Sequence, residues 1–449
     1  MKKFFETLNS IWKIKELKNK ILITLGLLLV YRFGAQVTLP GINAEELQAL
    51  SDQTDQGIGW LINVFTGGAF SQASVFALGI MPYISASIVV QLMGIAVPYL
   101  QKLQNDGESG RKKMNQITRW LTIAITLVQG PGYIYNLYRQ LPEQAFLLPS
   151  SSFAFLFSSV LILTTGTIFA MWLGEKITDK GIGNGISLLI MVGIIAQLPV
   201  AFIQESLSRM ETGNGGVMMI AIELVIWLLI IIACILLTMA VRKIPVQYAR
   251  RSVSGEYDAT AVSGNRQWIP LKLNASGVMP IIFAQAIMFV PPALAGLSSS
   301  DTAKSIATIF QNIFGWQYNL VFALLIIIFS YFYTAITVPT NRMADDLKRS
   351  GGFIPGIKPG EETANFLDRV MSLITFPGSL FLAFIAILPA LAVSLLGVQQ
   401  GWAMFYGGTS LLILVSVAID TIQQINSYML SKQYDGMMNT GKKRKTLAS

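Results

Sequence analysis

Hydrophobic residues come in long runs separated by short polar segments, and these runs predict membrane-crossing helices. A helix needs about 20 apolar residues to cross the hydrocarbon core of a bilayer. Ten runs meet that length, at 21–39, 73–97, 116–136, 153–173, 184–203, 216–240, 274–296, 317–338, 370–396 and 404–429. The pattern therefore predicts an all-α polytopic membrane protein with ten transmembrane helices.

The apolar run over 57–93 departs from this pattern because glycines divide it. Its first piece, 57–70, is shorter than a span and is typical of a re-entrant or interfacial segment. Gly67-Gly68 interrupts the run, since glycine weakens a helix interior. The second piece, 72–97, is predicted to be a spanning helix that Pro82 kinks by removing a backbone donor.

The second piece also carries Ser85, Ser87 and Gln91. Polar side chains within a membrane usually face protein or water rather than lipid. Two interpretations stay open at this point. The run is either a half-helix followed by a kinked helix that lines a gated aqueous path, or a loop followed by an ordinary transmembrane helix.

Composition supports a membrane protein and excludes several kinds of site. Of the 449 residues, 53% are hydrophobic and 13% are charged, about half the charged fraction of a soluble domain. The chain has no histidine, which excludes a His-based catalytic triad and any His-containing metal site. Cys234 is the sole cysteine, so neither an intramolecular disulfide nor a zinc cluster is possible. No carboxylate dyad or nucleophile–base set is identifiable, and we expect neither an enzyme nor a cofactor.

The basic residues give the orientation of the spans. If the spans alternate from a cytoplasmic N-terminus, the segments on the inner side hold 28 of the 33 lysines and arginines. Cytoplasmic loops carry such an excess in membrane proteins, so both termini are predicted to be cytoplasmic. The inner segments are 1–20, 98–115, 174–183, 241–273, 339–369 and 430–449.

The span count divides the chain into two halves. Five spans precede the predicted external loop 204–215 and five follow it, which makes the halves opposite in topology and favours an inverted repeat. The predicted regions are an amphipathic cytoplasmic helix (1–20), an N-terminal half (21–203), the external hinge loop (204–215), a C-terminal half (216–430) and a basic cytoplasmic tail (431–449).

Two inner loops are longer than a simple connection requires. Loop 241–273 contains two alternating segments separated by turn residues, which predict a projecting β-hairpin. Loop 339–369 has repeated Pro-Gly pairs that favour turns, and a helix is expected from Thr363 onward. Their basic residues either serve orientation alone or form docking sites, and the length of the loops favours docking.

Isoleucines recur at helical spacing in several spans. Residues four apart share a helix face, and any one such isoleucine is most simply a core or lipid-facing residue. Taken together, they could form an apolar ring that closes a pore by excluding water. They are Ile80, Ile84, Ile186, Ile190, Ile282, which follows an expected kink at Pro280, and Ile413.

Two further features have simpler interpretations. Residues 181–185, Gly-Ile-Gly-Asn-Gly, superficially resemble a phosphate loop but lack the following Lys-Ser/Thr, so a tight turn with Asn184 as a helix cap is favoured. Arg32, Glu223 and Asp420 lie within spans, and none forms an obvious pair with another ionisable residue. Arg32 is expected to extend toward the outer interface.

Five long motifs together resemble the SecY family of protein-conducting channels, and the resemblance runs from about residue 15 to 436. The motifs are GGAFSQASVFALGIMPYISASIVVQLM (67–93), GTIFAMWLGEKITDKGIGNGIS (166–187), LKLNASGVMPIIFAQ (271–285), GGFIPGIKPGEETA (351–364) and YGGTSLLILVSVAID (406–420).

This resemblance implies two inverted five-helix halves that form a clamshell around an hourglass pore. The channel would translocate unfolded secretory polypeptides across the plasma membrane and release hydrophobic segments laterally into its lipids. SecA or the ribosome would drive transport, SecE and SecG would be further subunits, and signal peptides would be recognised. No specific nucleic-acid site is expected beyond ribosome docking. A secondary transporter of a small solute is the alternative, supported by the inverted repeat and the broken helices.

The resemblance also implies roles for individual residues. The six isoleucines match the pore ring, and the segment over 57–70 would include the plug that fills the outer funnel. The plug residues are Gly57, Trp60, Leu61, Phe65, Gly67 and Gly68; the lateral-gate residues are Ser85, Ser87, Gln91 and Asn274; and the residues that dock SecA or the ribosome are Arg250, Arg251, Lys348, Arg349 and Lys358.

Two positions depart from the family pattern. Lys358 stands where the family commonly has arginine, and lysine keeps the charge but loses the planar fork that makes bidentate contacts. After Arg250-Arg251 the sequence continues Ser252-Val253-Ser254-Gly255-Glu256, where relatives often have another basic pair.

Overall fold

The computed structural model describes most of the chain. It covers residues 12–43, 47, 63, 66–142, 145–146, 153–211, 216–248, 267–288, 291, 309–310 and 312–446, with side chains as far as 431 apart from those of 95 and 105. The predicted amphipathic helix over 1–20 is therefore described only from residue 12, and most of the predicted plug lies outside these ranges.

The described part of the chain is mostly helical, with three strands between the seventh and eleventh helices. Its elements are α1 (Lys15–Gly34), α2 (Met81–Ala96), α3 (Pro98–Asn105), α4 (Gly107–Gln140), α5 (Phe153–Lys180), α6 (Gly185–Glu211), α7 (Gly216–Met239), β1 (Val241–Tyr248), β2 (Gln267–Lys272), α8 (Met279–Met288), α9 (Trp316–Thr337), α10 (Thr340–Arg349), β3 (Gly352–Phe353), α11 (Glu361–Leu396), α12 (Gln400–Ala403) and α13 (Gly408–Thr446).

Helices occupy each predicted span within the described residues. In the described part of the chain, six segments are long and apolar enough to cross a membrane: α5, α6, α7, the stretch Trp316–Arg349 with α9 and α10, α11, and Gly408–Ser431 of α13. Helices α2 and α3 make a seventh candidate, bent by 103°. Helices α1 and α4 lie over the first and third predicted spans, and α8 occupies 10 residues of the seventh. The prediction of an all-α polytopic fold is confirmed.

The second predicted span differs from its prediction. Residues 67–80 form turns, and helix α2 begins only at Met81, so the expectation of one helix over 72–97 is wrong. Pro82 lies in the first turn of α2, where its missing N–H would have no intrahelical partner. Pro280 likewise lies in the first turn of α8, where its missing N–H would have no intrahelical partner. The expected kinks at both prolines are therefore wrong.

The chain forms two compact units. The first comprises Met1–Gly213, Gln400–Trp402 and Val417–Ser449, and the second comprises Asn214–Gln399 and Ala403–Ser416. The boundary between the two units after Gly213 lies within the stretch predicted as the external hinge loop.

The core of the first unit surrounds the turns over 67–80. Phe70 packs in a buried cluster with Leu39, Tyr133 and Phe155, which come from three other parts of the unit. Phe76 stacks on Tyr31 of α1 at a ring-centroid distance of 5.6 Å and on Phe169 of α5 at 6.1 Å. Irregular backbone at membrane depth is tolerated where protein buries it, and this packing provides that burial.

The second unit contains a small antiparallel sheet with the strand order β2-β1-β3. Val241 pairs with Lys272 and Val246 with Gln267, which confirms the hairpin predicted in loop 241–273. The hairpin shares a core with the other long loop, made of Ile244, Val246, Leu271, Leu347, Ile354, Leu367 and Met371. The two loops therefore fold as one body, which the sequence did not predict.

Candidate functional site

Two predicted ring isoleucines lie at the start of α2. Ile80 immediately precedes the helix, and the N–H of Ile84 donates to its carbonyl oxygen at 3.0 Å. The two side chains are thus one turn apart on one helix face. Ile80 is buried and Ile84 is half-buried. Two apolar ring candidates of the first unit are brought together by the first turn of this helix.

Ile186 and Ile190 form a second pair at the start of α6. The side-chain oxygen of Asn184 accepts from the N–H groups of Ile186 and Ser187 at 3.2 and 3.3 Å, which is the predicted helix cap. Gly174 of α5 leaves room for the pair, because a Cβ there would lie 2.8 Å from Cγ1 of Ile186. The close approach of α5 and α6 therefore positions Ile186.

The Gly-Ile-Gly-Asn-Gly turn is held by side chains from two other helices. The N–H of Ile182 donates to Oγ1 of Thr24 at 3.0 Å, and the N–H of Gly183 donates to Oε1 of Gln424 at 2.8 Å. A phosphate loop needs such N–H groups for its ligand. Because side chains already occupy them, the geometry favours the tight-turn interpretation.

The remaining two ring candidates belong to the second unit. Ile282 lies half-buried on α8, and Ile413 is buried on α13. Phe283 fixes α8 against α9, since its ring lies 5.8 Å from the rings of both Phe329 and Tyr333. None of the six isoleucines is exposed, and their meeting in a single ring stays a prediction.

The described end of the predicted plug is bound to helix α1. Nη1 of Arg32 donates to the carbonyl oxygen of Gly67 at 2.7 Å, and the expectation that Arg32 extends toward the outer interface stays a prediction. A Cβ on Gly68 would lie 2.7 Å from Nε2 of Gln197 on α6. The other predicted plug residues, Gly57, Trp60, Leu61 and Phe65, lie outside the described residues.

The predicted gate residues form two local polar groups, one in each unit. Nε2 of Gln91 donates to Oγ of Ser87 at 3.2 Å along α2, and Ser85 lies half-buried on the same helix. In the second unit, Oγ of Ser276 donates to Oδ1 of the buried Asn274 at 3.2 Å, in the turn between β2 and α8. Each group is thus held by a hydrogen bond within its own unit.

Three predicted docking residues are exposed on the second unit. Lys348 and Arg349 end helix α10, and Lys358 lies on the loop that leads into α11. Nζ of Lys358 lies 3.7 Å from Oε1 of Glu362, and Oγ1 of Thr363 donates to the Lys358 carbonyl oxygen at 2.8 Å. Arg250 and Arg251 lie outside the described residues.

Sequence reasoning missed the hydrogen bonds that hold the turns before α2. The hydroxyl of Tyr133 donates to the carbonyl oxygen of Phe70 at 2.9 Å, and Oδ1 of Asn63 accepts from the N–H of Ser71 at 3.0 Å. The tyrosine lies 63 residues from its partner. No local sequence pattern identifies such a contact. Arg32, by contrast, could be singled out from the sequence because it is a charged residue within an apolar span.

Comparisons with known proteins agree with these elements. The SecY family model matches residues 74–422. A protein translocase subunit SecY from Halalkalibacterium halodurans is 40% identical over 445 residues, covering 97% of this chain and 100% of the relative. The same subunit from Escherichia coli is 38% identical over 426 residues, covering 94% of each chain.

The fold is also similar to that of a solved protein conducting channel. The TM-score is 0.59 at 18% sequence identity, with 91% of this chain and 92% of the other covered. The family match, which favours a protein-translocation channel over a small-solute transporter, includes all six ring candidates and both hydrogen-bonded gate groups. The chain belongs to the SecY family.

Proposed function

We propose that this chain is the polypeptide-conducting subunit of a translocon in the plasma membrane, with both termini in the cytoplasm. The observation that carries the proposal is the family match over 74–422, which runs from the turns before α2 into the first part of α13. The chain passes unfolded secretory polypeptides across the membrane and releases hydrophobic segments into lipid.

An apolar constriction suits this task because it makes no directional bonds with the chain that passes through it. In the proposal, the six isoleucines form that constriction and exclude water when the channel is idle. A transported chain of any sequence then displaces side chains that offer packing alone. The proposed ring is supported by the lack of exposure of all six residues and by their helix-start positions.

Lateral release follows from the free energy of partition. An apolar segment of about 20 residues is stabilised in hydrocarbon, whereas a polar segment is not. We place the gate at Ser85, Ser87, Gln91 and Asn274; Gln91 is hydrogen-bonded to Ser87, and Asn274 to Ser276. A signal peptide that separates the gate helices then enters lipid without breaking these two local hydrogen bonds.

The proposed partners act from the cytoplasmic side. The exposed Lys348, Arg349 and Lys358, together with Arg250 and Arg251, offer positive charge to SecA or to ribosomal RNA. One structural neighbour is Sec61 in the canine ribosome-channel complex, at a TM-score of 0.55 and 17% identity, with 91% of this chain and 92% of that chain covered. SecE and SecG complete the proposed assembly.

The test is transport into vesicles that contain the purified chain with SecE. SecA, ATP and a signal-bearing preprotein are added, and protection of the preprotein from external protease is measured. We expect protection that requires both ATP and a functional signal sequence. A matched preprotein with charged residues in its signal core is the control. Protection that does not depend on the signal, or no protection with SecA bound, would contradict the proposal.

A further inference from the structure

We infer that Arg32 is a positioning residue for the channel constriction, because it fixes the junction at which α1, the turns before α2 and helix α6 meet. Four predicted ring isoleucines lie on elements next to this junction: Ile80 and Ile84 at the start of α2, and Ile186 and Ile190 on α6. The inference rests on the proposed function, since the ring is part of that proposal. It adds a residue of α1 that is not itself a ring, plug or gate residue.

The position of Arg32 on α1 is unusual for a charged residue. Its helix neighbours are Tyr31, which is buried, and Phe33, which is 71% exposed. Arg32 itself is half-buried, and its guanidinium donates to the Gly67 carbonyl oxygen at 2.7 Å. A charge-assisted hydrogen bond is stronger than a neutral one, and more so away from water. The arginine thus joins α1 to a backbone carbonyl of the turns before α2.

Gly67 leaves no free space on either side of this bond. Its φ is +67°, and a Cβ there would lie 2.7 Å from Nη1 of Arg32 and 2.8 Å from Cα of Gly193 on α6. The backbone at Gly67 is therefore enclosed between the guanidinium and the backbone of α6. Gly193 follows Ile190 by three residues, so it lies about one turn from a predicted ring position.

The turns that follow Gly67 connect this junction firmly to the first ring residue, Ile80. The N–H of Val75 donates to the Val37 carbonyl oxygen at 2.9 Å, and the N–H of Leu39 donates to that of Ala73 at 2.9 Å. Both bonds tie the turns to the chain that follows α1. A shift of Gly67 therefore moves packed, hydrogen-bonded backbone rather than a free loop, and Ile80 moves with it.

A simpler role for Arg32 is that of an orientation or lipid-contact charge. Such a residue would extend its guanidinium to the membrane surface. The bond to Gly67 instead directs it to backbone within the same unit. The two roles make different demands, because surface contact needs only a positive charge somewhere on the helix end, whereas positioning needs a donor at this carbonyl.

The experiment measures ion leak in planar bilayers that contain the full chain with SecE and no preprotein. Arg32→Met keeps an unbranched side chain but removes the donor, and Arg32→Lys restores a charged donor. Loss of a hydrogen bond to a charged group corresponds to about a tenfold change in an equilibrium. We expect the Met variant to raise the leak by about that factor, and the Lys variant to recover most of the seal. Phe33→Leu is the control and should leave the leak unchanged.

Thermal unfolding in detergent and Ile84→Ser are measured alongside. If Ile84→Ser leaks but Arg32→Met does not, the positioning role is overturned while the ring stands. A lower unfolding temperature without added leak overturns it in the same way. If neither variant leaks, the ring itself is wrong. If Arg32→Met does not accumulate, Gly67→Ala is measured instead, because it disturbs the same hydrogen bond at the residue that accepts it. An unchanged leak in Gly67→Ala then contradicts the inference.

Discussion

Helices α2 and α8 begin with similar hexapeptides in the two units, GIMPYI over 79–84 and GVMPII over 277–282. Each opens on a glycine with positive φ, 51° at Gly79 and 63° at Gly277. Each helix then begins at the methionine, so the proline lies in the first turn. The last residue of each hexapeptide is a predicted ring isoleucine.

The surroundings of the two helix starts differ. A Cβ on Gly79 would lie 3.0 Å from Cγ2 of Thr66, whereas a Cβ on Gly277 would meet nothing within 4 Å. Gly79 follows turns that long-range hydrogen bonds hold. Gly277 follows a short turn directly after β2, and its N–H donates to the Asn274 carbonyl oxygen at 3.4 Å. Tertiary packing thus holds the first start, and a local turn holds the second.

The largest difference in stability between the two helix starts is expected when Gly79 and Gly277 are each replaced by alanine. Both substitutions place a side chain at positive φ, which costs roughly 1–2 kcal/mol, and Gly79→Ala must also displace Thr66. We therefore expect the unfolding temperature in detergent to fall further for Gly79→Ala than for Gly277→Ala. Gly132→Ala, in an open position on α4, is the control and should not lower it. Equal losses at the two glycines would show that packing around Gly79 does not matter.

A smaller effect is expected when the turns of the first unit lose one tertiary hydrogen bond. Tyr133→Phe leaves the buried Phe70 carbonyl oxygen without this donor, which costs about 1–2 kcal/mol of unfolding free energy. Tyr135→Phe is the matched control, because Tyr135 is 65% exposed on the same helix. The two variants are compared by thermal unfolding, and a similar change in both would contradict the account.

The local turn of the second unit should be less sensitive. Ser276→Ala removes the 3.2 Å hydrogen bond to Asn274, and we expect a cost of about 0.5–1 kcal/mol, below that of Tyr133→Phe. The backbone turn at Asn274 should remain in this variant, so helix α8 should still begin at Met279. Thermal unfolding measures the cost, and a loss larger than that of Tyr133→Phe would reverse the comparison.

The smallest effect concerns the exposed surface of the second unit. Lys358→Arg should not change stability, because the Lys358–Glu362 pair is exposed and exposed pairs contribute about 0–1 kcal/mol. It should moderately raise SecA- and ATP-driven transport, since arginine can bind a carboxylate with two parallel bonds. Lys348→Arg is the control. Equal transport by the native chain and the Lys358→Arg variant would defeat this prediction.

The sequence predicts the helices well because their signals are local. Apolar length and the placement of basic residues identify the spans, and alternation identifies the hairpin that β1 and β2 form. Asn184 was predicted as a cap because a cap needs only residues two and three positions away.

The errors arise where distant residues decide the outcome. Residues 67–80 are apolar enough for a helix, yet bonds from Arg32 and Tyr133 and positive φ at Gly67, Gly68, Ala73 and Gly79 make them turns. The prolines were placed within helices because periodicity does not show where a helix begins. Packing of the two long loops on one core likewise depends on residues more than 70 positions apart, such as Val246 and Leu367.

The most direct test of the account compares ion conductance for serine at one ring position in each unit. Ile84→Ser and Ile282→Ser should both raise the leak of the idle channel, because a hydroxyl wets an apolar constriction. Val89→Ser and Ile287→Ser lie on the same two helices at sites 39% and 42% exposed, and they should not. Unchanged conductance in both ring variants, or an equal rise in the controls, would contradict a constriction built from the two helix starts.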